Sequence, residues 1–269
     1  MRNGQPTCPG QTCHQIKQRA SPWLCHKADE ARPSRRDAVR LSLYAAWACA
    51  TATSVQRLAQ FPPSDFRAIV KEVYAESQSG LAAGARVLEL GAGLKCASVF
   101  EDGRFPPGMD VTALDIEVPD GPRLNAAIEQ ASAQGYRFHF ERGDAMALNA
   151  FASSSFDAVV CSLTLCSISS ADAAISEVLR VLKPGGRFGF VEHVGVREGE
   201  KPLLALSQQL LDPLQQVVAH GCHLHRDTDE LIARRFEASG GRVLLRQRML
   251  NEAMWPISQQ AAGVVEKAP

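Results

Sequence analysis

Residues 86–93 read Arg-Val-Leu-Glu-Leu-Gly-Ala-Gly, and residues 110–115 read Asp-Val-Thr-Ala-Leu-Asp. The first run is apolar and stops at two glycines; the second is apolar and stops at a carboxylate. Short apolar runs bounded by turn residues are strands of a sheet covered on both faces. Glycine where a strand turns lets a ligand approach the backbone, because no Cβ intervenes. Asp115, 24 residues beyond Gly91, can accept hydrogen bonds from both hydroxyls of a ribose. In an open α/β sheet ligands sit beyond the carboxyl ends of the strands, so both features fall where a nucleoside would bind.

The pattern extends in both directions. Pro62-Pro63 marks a boundary, and Phe66, Ile69, Val70, Val73 and Tyr74 follow at helical spacing after a candidate N-cap at Ser64. Leu124, Ile128 and Ala131 predict a helix that ends near Gly135. Residues 136–141 (YRFHFE), 156–161 (FDAVVC) and 187–194 (RFGFVEHV) predict strands. Ser170 caps a helix carrying Ile175, Val178, Leu179 and Leu182, which Pro184-Gly185-Gly186 stops. Helices are expected over 203–218 and 227–238, and a final antiparallel pair over 242–249 and 262–267. The alternation predicts an α/β fold: a doubly wound, mostly parallel seven-stranded sheet with an antiparallel last strand. It occupies residues 58–269.

The chain has 269 residues, 45% of them hydrophobic and 22% charged, which is ordinary for a globular protein. Its formal net charge is zero, so a generally basic nucleic-acid binder is disfavoured. The charge is unevenly spread: residues 1–60 hold nine Lys/Arg against three Asp/Glu, and the remainder is net acidic. Residues 1–28 lack acidic side chains, as organelle transit peptides do. Arg35-Arg36 then precedes an uncharged run over 41–56 with Ala50-Thr51-Ala52 near its end, the order of a second, signal-like element. Residues 1–57 are therefore expected to be a targeting or anchor segment, addressing a plastid and its thylakoid. An amphipathic helix lying on a membrane and a first helix of the fold are the alternatives, with endomembrane-anchored or cytoplasmic locations.

Eight cysteines at this length do not suggest a disulfide scaffold. Cys8, Cys13, His14, Cys25 and His26 match no common zinc module, and His220, Cys222, His223 and His225 follow no ligand-spacing rule, so no metal is expected.

The glycine bend and the acidic tip suit both nicotinamide and S-adenosylmethionine folds. A dinucleotide fingerprint wants a third glycine where Cys96 stands, and a pyrophosphate disfavours the carboxylate of Glu89 beside the loop. A cationic sulfonium ligand with an ammonium group tolerates it. Gly143-Asp144, after the third strand, offers a carboxylate that could read an adenine amino group or cap the next helix. Residues 155–161 (SFDAVVC) and then Glu177-x-x-Arg180-Val181-Leu182-Lys183-Pro184-Gly185-Gly186 resemble class I S-adenosylmethionine-dependent methyltransferases. Residues 160–167 (VCSLTLCS), 190–194 (FVEHV), 208–213 (QQLLDP) and 221–226 (GCHLHR), in that order, are similar to the methyltransferase-like enzymes that methylate alkyl thiols and hydrogen sulfide. The likeness runs over about residues 85–267.

That resemblance implies methyl transfer from S-adenosylmethionine to a small thiol or sulfide, with membrane-surface association through the N-terminus. It implies cofactor contacts at Glu89, Gly91, Ala92, Gly93, Asp115, Ile116, Asp144, Ala145, Cys161, Ser162 and Leu163, and a substrate cap at 221–226. His193, at the end of the fifth strand, is the candidate to orient or deprotonate an acceptor, against a purely structural role. Two departures stand out: Lys95 occupies the position of the usual third glycine, and the connection to Asp115 is about four residues longer than usual, around residues 101–104. A quinone- or lipid-directed C/O-methyltransferase and an inactive nucleotide-binding module are the alternative readings.

Overall fold

The computed structural model describes residues 64–93, 105 and 107–269, together with Val39, Ser42 and Ala45. Two units divide the chain, Met1–Trp47 and Ala48–Pro269. In the first, the three described residues are helical and exposed. Apart from those three residues, the address read in residues 1–57 lies outside the described residues, as do Lys95, Cys96 and residues 101–104.

In the second unit the elements run α1 (Ser64–Ser77), β1 (Arg86–Leu90), β2 (Asp110–Asp115), α2 (Gly121–Ala133), β3 (Arg137–Arg142), β4 (Phe156–Ser162), α3 (Ala171–Val181), β5 (Leu182–His193), α4 (Pro202–Val218), α5 (Thr228–Ala238), β6 (Arg242–Leu250) and β7 (Gln259–Glu266). The strands form one seven-stranded sheet in the order β3-β2-β1-β4-β5-β7-β6. The first five are parallel, and β7 runs antiparallel to both β5 and β6. This is the predicted sheet, and its apolar strands are buried on two sides. Successive strand residues point to opposite faces. Val87, Val111 and Val160 pack with Val70 and Tyr74 of α1 on one face, while Leu88, Val159 and Phe188 pack with Ile175 of α3 and Phe236 of α5 on the other. No described helix is long and apolar enough to cross a membrane.

Most strand boundaries fall within three residues of the sequence reading; the start of β5 departs furthest. The helix ends at Val181, and Leu182 is already extended and paired with Phe156, five residues before the predicted start of β5. A residue preceding proline avoids the helical region, so Lys183 favours extended chain ahead of Pro184. Gly185 then takes φ +71°, and the ladder with β4 shifts register at this kink. Lys183 Nζ and the Arg86 N–H both donate to Asp157, which fixes the amino-terminal edge of the sheet.

Glu177 and Arg180 pin the loop before β4 to α3. Arg180 grips Glu177 through Nε and Nη2, both at 2.8 Å, and donates to the carbonyls of Leu148 and Phe151 at 2.9 Å. Glu177 Oε2 in turn accepts the Leu148 N–H at 2.7 Å. The Arg180 hydrogen bond and the Leu148 N–H, against burial, hold the Glu177 carboxyl below the usual carboxylate range. The folded state thus binds this proton less tightly than the unfolded chain. The stabilisation is present above the unfolded pKa, about 4.3, and is lost as pH falls through the lower folded value. Glu177→Gln is expected to show a shallower fall in Tm than wild type between about pH 5 and 3. Parallel Tm curves for the two proteins would contradict this linkage.

Candidate active site

The carboxyl ends of β1, β2, β3 and β4 converge on the bend that follows Leu90. The Gly91 and Ala92 N–H groups both donate to the Leu114 carbonyl, at 2.8 and 3.2 Å, which turns the chain sharply out of β1. Gly91 and Gly93 sit at φ +68° and +70°, the left-handed region that glycine adopts without strain. Space requires glycine at the first position too: a Cβ there would lie 2.1 Å from Thr164 Oγ1. The Thr164 hydroxyl is oriented by the carbonyls of Leu90 and Ser162, at 3.1 and 3.2 Å.

Asp115 closes the other side of the bend. Its Oδ2 accepts the Gly93 N–H at 2.8 Å, and its Oδ1 accepts the Glu117 N–H at 3.0 Å. Each carboxylate oxygen has a second lone pair, so these bonds aim the group without exhausting its acceptors. Ile116, next in sequence, is a large apolar side chain left 65% exposed. The Gly143 N–H donates to the Asp115 carbonyl, which sets the turn after β3 beside the tip of β2. In that turn Asp144 accepts the Met146 N–H at 2.8 Å and Ala145 is buried. Asp144 therefore closes a tight turn, with β4 rather than a helix as the next element.

Below the bend Glu89 is buried and accepts a hydrogen bond from the Tyr74 hydroxyl of α1 at 3.1 Å. Burial, reinforced by the Glu89 charge, pushes the Tyr136 phenol well above its usual range. At the end of β4, Cys161 is buried, Ser162 is half-buried and Leu163 takes φ +53°. A leucine in the left-handed region carries roughly 1–2 kcal/mol of backbone strain. It is held there by its N–H bond to Val191 on β5, at 2.9 Å.

All eleven cofactor contacts expected from the sequence thus gather at one edge of the sheet. Residues not singled out there complete the arrangement. Glu192, fully buried on β5, accepts the N–H groups of Thr164 and Leu165 at 2.9 Å and of Cys166 at 3.1 Å, and also the Cys161 thiol at 3.4 Å. Burial raises its carboxyl above the ordinary range, against the pull of those backbone donors and of His193. It holds the loop that supplies Thr164 to Gly91. The signal in the sequence was an acidic residue, beside His193, flanked by the apolar side chains of the run FVEHV.

His193 is fully buried at the end of β5, with Nε2 2.6 Å from the His223 carbonyl and Cys222 Sγ 3.7 Å from either ring nitrogen. The geometry places it among protein groups, behind the loop after β4. Burial acts to lower its pKa, and Cys222, Glu192 and the His223 carbonyl together carry it above the usual value. The Cys222 thiol is drawn down to about 4, first by the Cys166 thiol and, against burial, by His193. Residues 221–226 clasp the same loop: the His223 N–H donates to the Cys166 carbonyl at 2.8 Å, and Arg226 Nη1 donates to the carbonyls of Leu165 and Ile168. Asp212 of α4 accepts the Leu224 N–H, so this clasp is itself anchored.

Residues 88–190 match the family model of the methyltransferase domain. The chain is 37% identical over 147 residues to thiol S-methyltransferase TMT1B of Rattus norvegicus, covering 53% of this chain and 55% of the relative. It is 33% identical over 151 residues to thiol S-methyltransferase TMT1A of Homo sapiens, covering 55% and 58%. The chain thus spans rather more than half the length of these curated relatives. Among solved structures, a putative methyltransferase from Bacillus halodurans superposes with a TM-score of 0.53 at 16% identity, covering 73% of this chain and 99% of the other. A putative sarcosine dimethylglycine methyltransferase from Galdieria sulphuraria gives 0.53 at 15%, covering 74% and 85%. These two likenesses show the fold.

Proposed function

We propose that this chain, whose core is a methyltransferase domain of the S-adenosylmethionine-dependent class, transfers a methyl group from S-adenosylmethionine to a small thiol or sulfide. The observation that carries the cofactor side is the bond between Gly93 and Asp115. It joins a backbone cradle that a Cβ at Gly91 would fill to a carboxylate with acceptor capacity to spare. The pocket chemistry fits a nucleoside: Asp115 for ribose hydroxyls, exposed Ile116 for a base face and Glu89 for nearby positive charge. The bound sulfonium supplies an activated methyl group. The chain's part is to align an acceptor on the methyl carbon and keep water away. The acceptor sulfur forms the new bond to carbon as the sulfonium bond breaks, its electron pair staying on S-adenosylhomocysteine. The thiol proton has by then gone to solvent. A thiol of pKa about 8.5 already provides thiolate at mildly alkaline pH, so no strong base is required of the protein. Likeness to thiol S-methyltransferases supports the choice of sulfur.

Incubation with methyl-labelled donor and a panel of alkyl thiols, sulfide and quinones tests the acceptor. Label is expected in thiols or sulfide; label confined to quinone would replace this reading with a quinone-directed one. Titration with S-adenosylhomocysteine tests the cofactor site. Asp115→Ala removes charge-assisted hydrogen bonds and is expected to weaken binding by about 1–3 kcal/mol, roughly 5- to 150-fold. Unchanged affinity would show that the ribose lies elsewhere.

A further inference from the structure

Behind the loop after β4, three side chains from three separate segments meet: Cys166 of that loop, His193 at the end of β5 and Cys222 after α4. All three are buried, and one ligand atom from each lies within 4.8 Å of the others. Cys222 Sγ is 3.7 Å from the His193 nitrogens. A tetrahedral zinc ion, with bonds of about 2.3 Å to sulfur and 2.0–2.1 Å to nitrogen, holds such ligand atoms roughly 3.6–3.8 Å apart. The Cys222–His193 separation already matches that spacing, and the 4.8 Å limit on the group leaves Cys166 to close by about 1 Å at most.

The hydrogen bonding of the histidine leaves one ring nitrogen for a cation, whose binding would displace any proton held there. A carbonyl oxygen can only accept, so the 2.6 Å contact from Nε2 to His223 O places a proton on Nε2 and leaves Nδ1 as the nitrogen available to a cation; Cys222 Sγ is equidistant from the two nitrogens, so the ring or the thiol would turn to share an ion. An N–H held by a carbonyl while the other nitrogen faces the ion is the usual outer-shell arrangement of a metal-bound histidine. The backbone is fixed as well: the His223 N–H bonds the Cys166 carbonyl, Arg226 bonds the carbonyls of Leu165 and Ile168, and Glu192 accepts the Cys166 N–H. Two thiolates and one neutral imidazole balance a divalent charge, which suits a site shielded from water. Among the described residues, no fourth His, Cys, Asp or Glu joins the group.

We propose that Cys166, His193 and Cys222 form a buried binding site for a single thiophilic divalent cation of the zinc class, with a fourth position that no described residue supplies. Two sulfurs and an imidazole select zinc over magnesium or calcium, which prefer oxygen ligands. The ion would tie the loop that braces Gly91 to the end of β5 and to the 221–226 clasp. The site is independent of which acceptor is methylated. It was invisible to spacing rules because the ligands stand 27 and 29 residues apart on different elements.

The full chain, purified under reducing conditions without a histidine tag, would be equilibrated with zinc, desalted and assayed for bound metal by mass spectrometry. About one zinc per chain is expected, with at least a tenfold drop in Cys166→Ser and Cys222→Ser. Metal should persist in the triple variant Cys8→Ser/Cys13→Ser/Cys25→Ser and in His220→Gln/His225→Gln, which remove competing thiols and imidazoles. Should the core variants not fold, cobalt loading of the wild-type and triple-variant chains decides the matter. Tetrahedral cobalt bands with sulfur-to-metal charge transfer, present in both, support the site. Zinc below about a tenth per chain in the wild type, metal or cobalt bands that follow the N-terminal cysteines or surface histidines, or a Cys166–Cys222 disulfide in the reduced preparation would overturn it.

Discussion

Gly91→Ala is expected to abolish saturable binding of S-adenosylhomocysteine, with affinity falling by at least about 100-fold, an effect of roughly 3 kcal/mol. Two independent costs combine. Gly91 sits at φ +68°, where an alanine is strained by roughly 1–2 kcal/mol. Its new methyl carbon would also lie 2.1 Å from Thr164 Oγ1 and 2.6 Å from Cγ2, so the bend or the Thr164 loop must move. Moving the bend breaks the alignment of Gly93 with Asp115. Thr164→Ala in the same chain removes the two shortest overlaps but leaves the strain, so the double variant should regain part of the affinity. Calorimetric titration measures each step. An affinity for Gly91→Ala within about threefold of wild type would show that the bend does not shape the cofactor site.

Glu192→Ala is expected to cost about 3–5 kcal/mol of unfolding free energy in a urea titration. Its carboxylate is the acceptor for three successive buried N–H groups and a buried thiol. Each buried donor left unsatisfied costs about 1–3 kcal/mol, and water entering the space left by the side chain recovers part of the total. Against a typical domain stability of about 5–15 kcal/mol, this is enough to populate the unfolded chain on warming. Glu192→Gln keeps one accepting oxygen for the Thr164 and Leu165 N–H groups but turns a donor toward Cys166, so an intermediate loss is expected. A loss below about 1 kcal/mol for the alanine variant would mean that the loop after β4 is held by its other contacts.

How much of the molecule was legible in its sequence depends on the range of the physics involved. The strands β1, β2 and β4 were legible because burial on two faces leaves unbroken apolar runs. The site's cradle was legible because φ > 0 next to a strand end leaves a local trace, the glycines at 91 and 93. Asp115 was legible because its position is dictated by the sheet alone. The onset of β5 at Leu182 was not, because its partner Phe156 is distant in sequence and the Pro-Gly-Gly turn looks like a stop. Glu192 on β5 acts on the bend through the loop after β4 that carries Thr164; its charge stands out in the run FVEHV, but nothing within a few residues of either names the other as its partner. His193 shows the limit most plainly. The sequence put it at the end of a strand facing the chemistry; packing surrounds it with Cys222, Glu192 and the His223 carbonyl.

The place of β7 has a bearing on how the molecule assembles. It is the latest strand in chain order, yet it lies between β5 and β6, with seven of its eight residues buried. As the polypeptide leaves the ribosome, β5 keeps one open flank and β6 has no hydrogen-bonding neighbour until residues 259–266 emerge. Nascent chains are thus vulnerable to edge-to-edge association until β7 emerges, and this sheet is completed by the insertion of a keystone rather than the growth of a margin.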